Sequence, residues 1–188
     1  MATNPARRGW SYAEYARLPD DGNLYEIIDG EVYVTPAPKW DHQRISMRLS
    51  MALGTFVETH DLGELAAAPA DVFLTGGSFV QPDLVFIRSD RLSIISERGV
   101  EGAPDLVVEI VSPATALRDR GLKREGYAEF GVPLYWVVDA DLGHVEVYRL
   151  DADPDAPPEI VRDILAWQPV PGGPELRVNL ADVFRGFN

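Results

Sequence analysis

Pro104-Asp105-Leu106-Val107-Val108-Glu109-Ile110-Val111-Ser112-Pro113 is the stretch whose reading decides the fold. Leu106, Val107, Val108, Ile110 and Val111 form a near-continuous apolar run, as in a central strand buried on both faces. Glu109 stands inside that run, and a carboxylate in a dry interior is costly unless a cation, a proton or hydrogen-bond donors compensate it. Downstream come Asp119, Arg120, Lys123 and Arg124 in a segment with helical character. Upstream a second Pro-Asp pair, Pro82-Asp83, lies within the apolar run from Phe79 to Ile87. Two acids on two apolar strands, followed by a lysine, suggest a metal site for phosphodiester hydrolysis.

Composition bounds this reading. A chain of 188 residues, 46% hydrophobic and 25% charged, is expected to form one domain over residues 1–188. No run of 18 apolar residues occurs, so no membrane-spanning helix is expected. Met1 to Arg8 is not followed by an apolar secretory segment, and a cytoplasmic location is the default. With no cysteine, disulfides and Cys-based zinc sites are excluded. The net charge of −13 works against loose coating of a polyanion. It leaves room for a local, metal-assisted phosphate site, because the acids are uneven: residues 113–131 are slightly basic, whereas 150–163 are strongly acidic.

Working outward from the central strand, Ser112-Pro113 opens a helix that Gly131 ends as a left-handed cap. Leu134 to Asp139 reads as the next strand, paired with His144 to Arg149 through a short loop containing Gly143. Ile160–Trp167 and Leu176–Val178 are candidate edge strands, and Leu180–Phe184 a closing helix. Toward the N-terminus, Phe79–Ile87 reads as one strand, Leu65–Leu74 as another, and residues 88–103 as a charged loop with a helical turn near Asp90–Ser96. Residues 41–59 form the first long helix, with Asp41 as its cap and Ile45, Leu49, Ala52, Leu53 and Phe56 as its apolar stripe. Asp29-Gly30 joins two β-rich runs in a two-residue hairpin that pairs Ile28 with Glu31 and Glu26 with Tyr33. Ser11 and Glu14 form a capping box for a short N-terminal helix. The order predicts an α/β fold with a mixed sheet flanked by helices.

Strand geometry sorts the acids. Asp105 and Glu109 point the same way but stand roughly 13 Å apart along one strand, too far to share one ion. Asp83, on a neighbouring strand about 4.8 Å away, can converge with Glu109 on one divalent cation. An oxygen-rich set without cysteine favours Mg2+ or Mn2+ over zinc. No Gly-rich phosphate loop of the nucleotide-binding types is present.

Pro82-Asp83, Glu109 in its apolar strand and a helix bearing Lys123 resemble the PD-(D/E)XK nuclease superfamily. Together with Tyr25–Glu31, His42-Gln43-Arg44, Gln81–Val85, Tyr127-Ala128, Gly131-Val132-Pro133 and Tyr135–Asp139, they resemble the Uma2 family of restriction endonuclease-like proteins across residues 11–150. The resemblance implies a restriction-endonuclease-like core with an added N-terminal helix and β-hairpin. It also implies a Mg2+- or Mn2+-dependent endonuclease acting on DNA. Asp83, Glu109 and Glu26 would hold the metal, and Lys123 and His42 would join them in catalysis. One departure stands out: Val111 occupies the position, two residues after the glutamate, where the superfamily pattern has lysine.

Bland readings stand beside each of these. Glu109 could form a structural salt bridge with Arg120 or Lys123, Asp83 could cap a strand end, and Glu26 could be an exposed hairpin residue. His42 could be an ordinary helix-start residue, Lys123 could pair with Asp119 on the helix surface, and Tyr127, Phe130, Tyr135 and Trp136 are core by default. The rival functions are a nuclease fold kept as a silent binding or assembly module, and a small-molecule hydrolase using the same acids. Surplus apolar strand predicts a homodimer. Crowded carboxylates predict that Glu109→Gln is neutral or stabilising without metal. Lys123, Tyr127 and Phe130 at i, i+4 and i+7 predict an inward lysine that replaces the absent one at Val111.

Overall fold

In the computed structural model, which describes residues 10–186, β9 (Leu106–Val111) is buried along its whole length. It runs parallel to β10 (Leu134–Asp139) and antiparallel to β6 (Leu84–Arg88). β3 (Gly63–Ala67) adds beyond β6, while β11 (His144–Arg149) and β12 (Glu159–Val161) add beyond β10, giving a six-stranded mixed sheet. The βαβ step from β9 to β10 makes this sheet's centre parallel and apolar, as two covered faces require.

Side chains alternate across β9 with period two. Leu106, Val108 and Ile110 pack with Ile45, Leu49, Leu53 and Val57 of the long helix α2 (Trp40–Thr59). Leu165, Trp167 and Val178 of the small hairpin β13 (Ile164–Trp167) and β14 (Leu176–Asn179), and Leu180 and Val183 of α5 (Leu180–Val183), complete that layer. Val107 and Val111 pack on the other face, with Tyr127, Tyr135 and the second sheet. Glu109 lies between those two valines and so points to the same side.

The second sheet runs β2 (Glu31–Thr35), β1 (Leu24–Ile28), β5 (Phe79–Val80), β4 (Val72–Phe73), β8 (Gly99–Val100), β7 (Ile95–Ser96). Its β1–β2 hairpin has the expected register, with Ile28 opposite Glu31 and Glu26 opposite Tyr33. Asp29 and Gly30 both take positive φ, as the tight turn demands. The N-terminal helix α1 (Tyr12–Tyr15) has the expected Ser11–Glu14 capping box and stacks Tyr15 on Phe79. This is the mixed α/β class read from the sequence, including the added helix and hairpin. The stretch from Met1 to Arg8 lies outside the described residues, and no described helix is long and apolar enough to cross a membrane.

Several elements differ from expectation. The run Phe79–Ile87 is two strands in two different sheets, broken at Gln81-Pro82-Asp83. Pro82 has no N–H for a ladder, and the Gln81 N–H donates to Glu26 Oε1 at 3.1 Å instead of to a strand. Leu65–Leu74 is likewise interrupted around Pro69, and Ile160–Trp167 divides between the large sheet and the β13–β14 hairpin. The long helix α2 starts at Trp40 with Lys39 as its N-cap, so Asp41 lies in the first turn, where a carboxylate still favours the positive helix end. The helix after Ser112-Pro113 is not uniform: α3 (Ala116–Arg118) leads into a π-helical turn (Asp119–Lys123) and then α4 (Arg124–Phe130), capped by left-handed Gly131.

Candidate active site

The break at Gln81-Pro82-Asp83 is the corner where the two sheets meet, and a cavity of about 540 Å3 opens beside it. Glu26, His42, Asp83, Glu109 and Lys123 all line this cavity. Glu26 arrives because Leu24, Glu26 and Ile28 share one face of β1; Ile28 is anchored in the core and Leu24 lines the cavity with Glu26. Asp83 stands one position beyond the last rung between β6 and β9, Leu84 to Val108, and therefore comes alongside Glu109. Its Oδ2 accepts the Ile110 N–H at 2.7 Å, replacing a lost ladder bond, and lies 3.2 Å from His42 Nε2.

Lys123 is 2% exposed, and its Nζ lies 2.6 Å from Glu109 Oε1 and 2.7 Å from Glu26 Oε1. Tyr127, one turn on, donates its hydroxyl to the same Glu109 oxygen at 2.8 Å. The π turn buries Asp119 as well, with Oδ1 3.9 Å from Lys123 Nζ, and Tyr135 donates its hydroxyl to the Asp119 carbonyl at 3.0 Å. Arg118 approaches the other oxygen of Glu26 at 3.3 Å, donates to Thr35 Oγ1 at 3.1 Å and lies over the Tyr33 ring. Three cationic or hydroxyl side chains from one short helical segment thus converge on two glutamates from two different sheets.

These contacts set the charges. Burial pushes the Glu109 carboxyl well up; Lys123 opposes this, while Asp119, Glu26 and Asp83 add to it. Burial by itself pushes Lys123 down, but Glu109, Glu26 and Asp119 outweigh it and hold the ammonium above its ordinary range. The surrounding carboxylates thus favour the ammonium form of Lys123. Burial raises Asp119, partly offset by Lys123. Burial lowers His42, but the hydrogen bond and charge of Asp83 more than reverse that and leave the imidazole above its usual value. Tyr127 is held as a phenol by burial and by the charge of Glu109.

The donor set fits one hard divalent ion between Asp83 and Glu109. Among the described residues, Lys123 and Tyr127 both bind Oε1 of Glu109, and Ile110 and His42 both meet Oδ2 of Asp83. One oxygen on each of two adjacent carboxylates is left without a hydrogen bond. The wall is also short of positive charge: Glu26, Asp41, Asp83, Glu109, Asp119 and Asp141 face Lys39, Arg118 and Lys123. A phosphate ester entering there needs a further cation. Glu26, expected as a third ligand, meets Lys123 and the Gln81 N–H at Oε1 and is approached by Arg118 at Oε2. Asp105, by contrast, serves Arg88 and Arg91 at the start of β9, away from the cavity.

A second acidic group lies beside the cavity, where β10 ends and β11 begins. Ligand atoms of Asp139, His144 and Glu146 fall within 4.8 Å of one another. Arg120 fills this cluster, with Nη2 2.6 Å from Asp139 Oδ2 and its guanidinium forked onto Glu146. Arg120 is the structural salt bridge considered for Glu109, formed with other acids.

Residues 12–181 match the Uma2 family model, described as "Putative restriction endonuclease". The chain belongs to the Uma2 family. Its fold is similar to the crystal structure of a "putative nuclease belonging to DUF820" from Anabaena variabilis, with a TM-score of 0.72 at 21% identity, covering 92% of this chain and 96% of that one. No curated protein matches the chain.

In this Uma2 chain Glu26, His42, Asp83, Glu109 and Lys123 all come to one cavity, but three further participants were not assigned to it from the sequence. Arg118 was given no role, Asp119 was read as a surface partner of Lys123, and Tyr127 as plain core. The sequence held no clear signal: three consecutive charges, Arg118-Asp119-Arg120, span about 200° of a helix and fit on its exposed side.

Proposed function

We propose that this Uma2 chain is a divalent-metal-dependent endonuclease that hydrolyses phosphodiester bonds in DNA. The observation that carries the reading is the Lys123 ammonium 2.6 Å from Glu109 Oε1. The lysine that the superfamily pattern places two residues after the glutamate is valine here, and its charge comes instead from the helix. In this reading Asp83 and Glu109 hold Mg2+ or Mn2+ through their uncommitted oxygens. When bound, such an ion supplies positive charge to the scissile phosphate and makes a nucleophile from water at neutral pH. Lys123 adds a fixed cation for charge developing on the phosphate oxygens. Tyr127 orients Glu109, His42 orients Asp83, and Glu26 anchors Lys123 and Arg118. Water adds to phosphorus and the bond to the leaving sugar oxygen breaks, giving a phosphate monoester and a hydroxyl. A homodimer belongs to the same reading, because two sites on one duplex would cut both strands.

The test is incubation of plasmid and linear DNA with Mg2+ or Mn2+. Cleavage is expected for the wild type, and loss of cleavage with EDTA and in Asp83→Asn, which keeps an acceptor for the Ile110 N–H. Equal cleavage by Asp83→Asn, or none by the wild type with either metal, overturns the reading. One observation favours the rival of a silent binding module: Lys123 is already shared between two carboxylates. DNA bound and left uncut would select that rival.

A further inference from the structure

We propose that the cavity accepts a DNA strand whose bases are unpaired, rather than an intact double helix; this rests on the nuclease reading above. Three independent features lead there. The first is depth. Glu109 and Lys123 are 5% and 2% exposed, at the floor of a cavity of about 540 Å3. That is the size of a pocket for a small molecule, ~300–1,000 Å3, and so of one or two nucleotides. A single strand can bend its backbone and bases into such a cavity, whereas a stacked duplex offers only its outer phosphates.

The second feature is charge. Duplex binding draws its affinity from rows of Lys and Arg that displace counterions from phosphates. This chain carries a net charge of −13, and Lys123 and Arg118 in the cavity are already paired with Glu26. Electrostatic attraction along a duplex is therefore weak, and another source of affinity is needed.

The third feature supplies it. Trp40, Leu117 and Leu142 are 78%, 90% and 58% exposed. They come from three separate segments, and each is the immediate neighbour of a residue lining the cavity: Lys39 and Asp41, Arg118, and Asp141. An exposed tryptophan and two leucines, each next in sequence to a lining residue, offer apolar surface beside an acidic pocket. Unpaired bases stack on such a surface, whereas paired bases keep their faces inside the duplex.

Two readouts test this. Oligothymidylate and a hairpin duplex of equal length are compared for cleavage in Mn2+ and for quenching of tryptophan emission, to which exposed Trp40 contributes alongside half-buried Trp10 and the buried Trp136 and Trp167. The single strand is expected to be cleaved with at least tenfold higher kcat/KM and to quench the emission. Trp40→Ala should lose the quenching and raise KM about tenfold with kcat little changed, and Trp40→Phe should restore KM. Equal kcat/KM for the duplex overturns the inference, as does a Trp40→Ala variant with unaltered KM and quenching. If Trp40→Ala alters sedimentation while strand binding stays intact, this surface is a contact between copies and the inference fails. Quenching by the single strand alone, without any cleavage, would remove the nuclease reading and leave the strand preference standing.

Discussion

At the scale of single residues, Lys123 governs the site. It is buried and held by two carboxylates, so truncating it leaves Glu26 and Glu109 without their shared counter-ion. Removing one partner of a buried pair costs about 3–5 kcal/mol. For a chain of this length each kcal/mol lowers Tm by about 2–4 °C. Lys123→Met is therefore expected to melt roughly 10 °C below wild type, and the double variant Lys123→Met/Glu26→Gln to recover part of that loss. A full additive loss in the double variant would show that the two side chains are not coupled. The same geometry reverses the expectation for Glu109→Gln. Crowded carboxylates alone would make it neutral or stabilising, but Lys123 sits among them, so the substitution is expected to lower Tm even in EDTA. In the proposed reading a metal ion would act separately, through Asp83 and Glu109. Millimolar Mg2+ or Mn2+ is expected to raise the wild-type Tm by mass action and to leave Asp83→Asn unmoved. Equal shifts in both proteins would place the ion elsewhere.

At the scale of elements, the π turn organises the site. In this segment Arg118 reaches β1, Lys123 reaches β1 and β9, and Arg120 reaches the ends of β10 and β11. Such turns concentrate at functional positions because they re-aim side chains that an α-helix would space evenly. Arg120 fastens the turn to the sheet. Burial pushes Asp139 and Glu146 up, but Arg120, with Leu142 and Tyr148, more than offsets it, and both carboxyls titrate below their ordinary values. Groups with lowered folded values stabilise the protein above their unfolded values, about 3.9 for Asp and 4.3 for Glu, and lose that contribution as pH falls through the folded values. Arg120→Met removes the partner, so its deficit in urea midpoint relative to wild type should be largest at neutral pH and shrink as pH falls below about 4. A deficit independent of pH would mean that Arg120 acts through packing alone.

At the scale of the whole molecule, two sheets share one chain segment, and the break in that segment is the site. The apolar strand that made a homodimer the expectation is absorbed inside the chain: Ile27 and Ile28 are buried in the second sheet, and Leu165, Trp167 and Val178 cover α2 and the large sheet. One surface open to a partner is the outer strand β2, at one edge of its sheet, with Val32 and Val34 exposed. An open edge with exposed valines invites pairing with a second copy. Sedimentation is expected to give twice the 20.8 kDa chain mass, reverting to a monomer in Val34→Lys. A wild-type species of 20.8 kDa alone at micromolar concentration would rule out the dimer.

The sequence by itself determined the strands, the hairpin register and the gathering of acids. Those features follow from local rules: period-two alternation, the Asp29-Gly30 turn, and an apolar run long enough to be central. Glu109 was legible because a charge inside such a run has no local excuse. The inward aim of Lys123 was legible from its spacing to Tyr127. Only the tertiary structure decided that the Phe79–Ile87 run changes sheet at Pro82, since a missing N–H says where a ladder ends but not which sheet each half joins. Only it decided that Asp119 turns inward and that Glu26 is occupied by Lys123 and Arg118. A π turn shifts the helical phase within a few residues, and no sequence period records that shift; Lys123, which it redirects, finds Glu26 on a strand far away in sequence, whose closeness exists only in the folded chain.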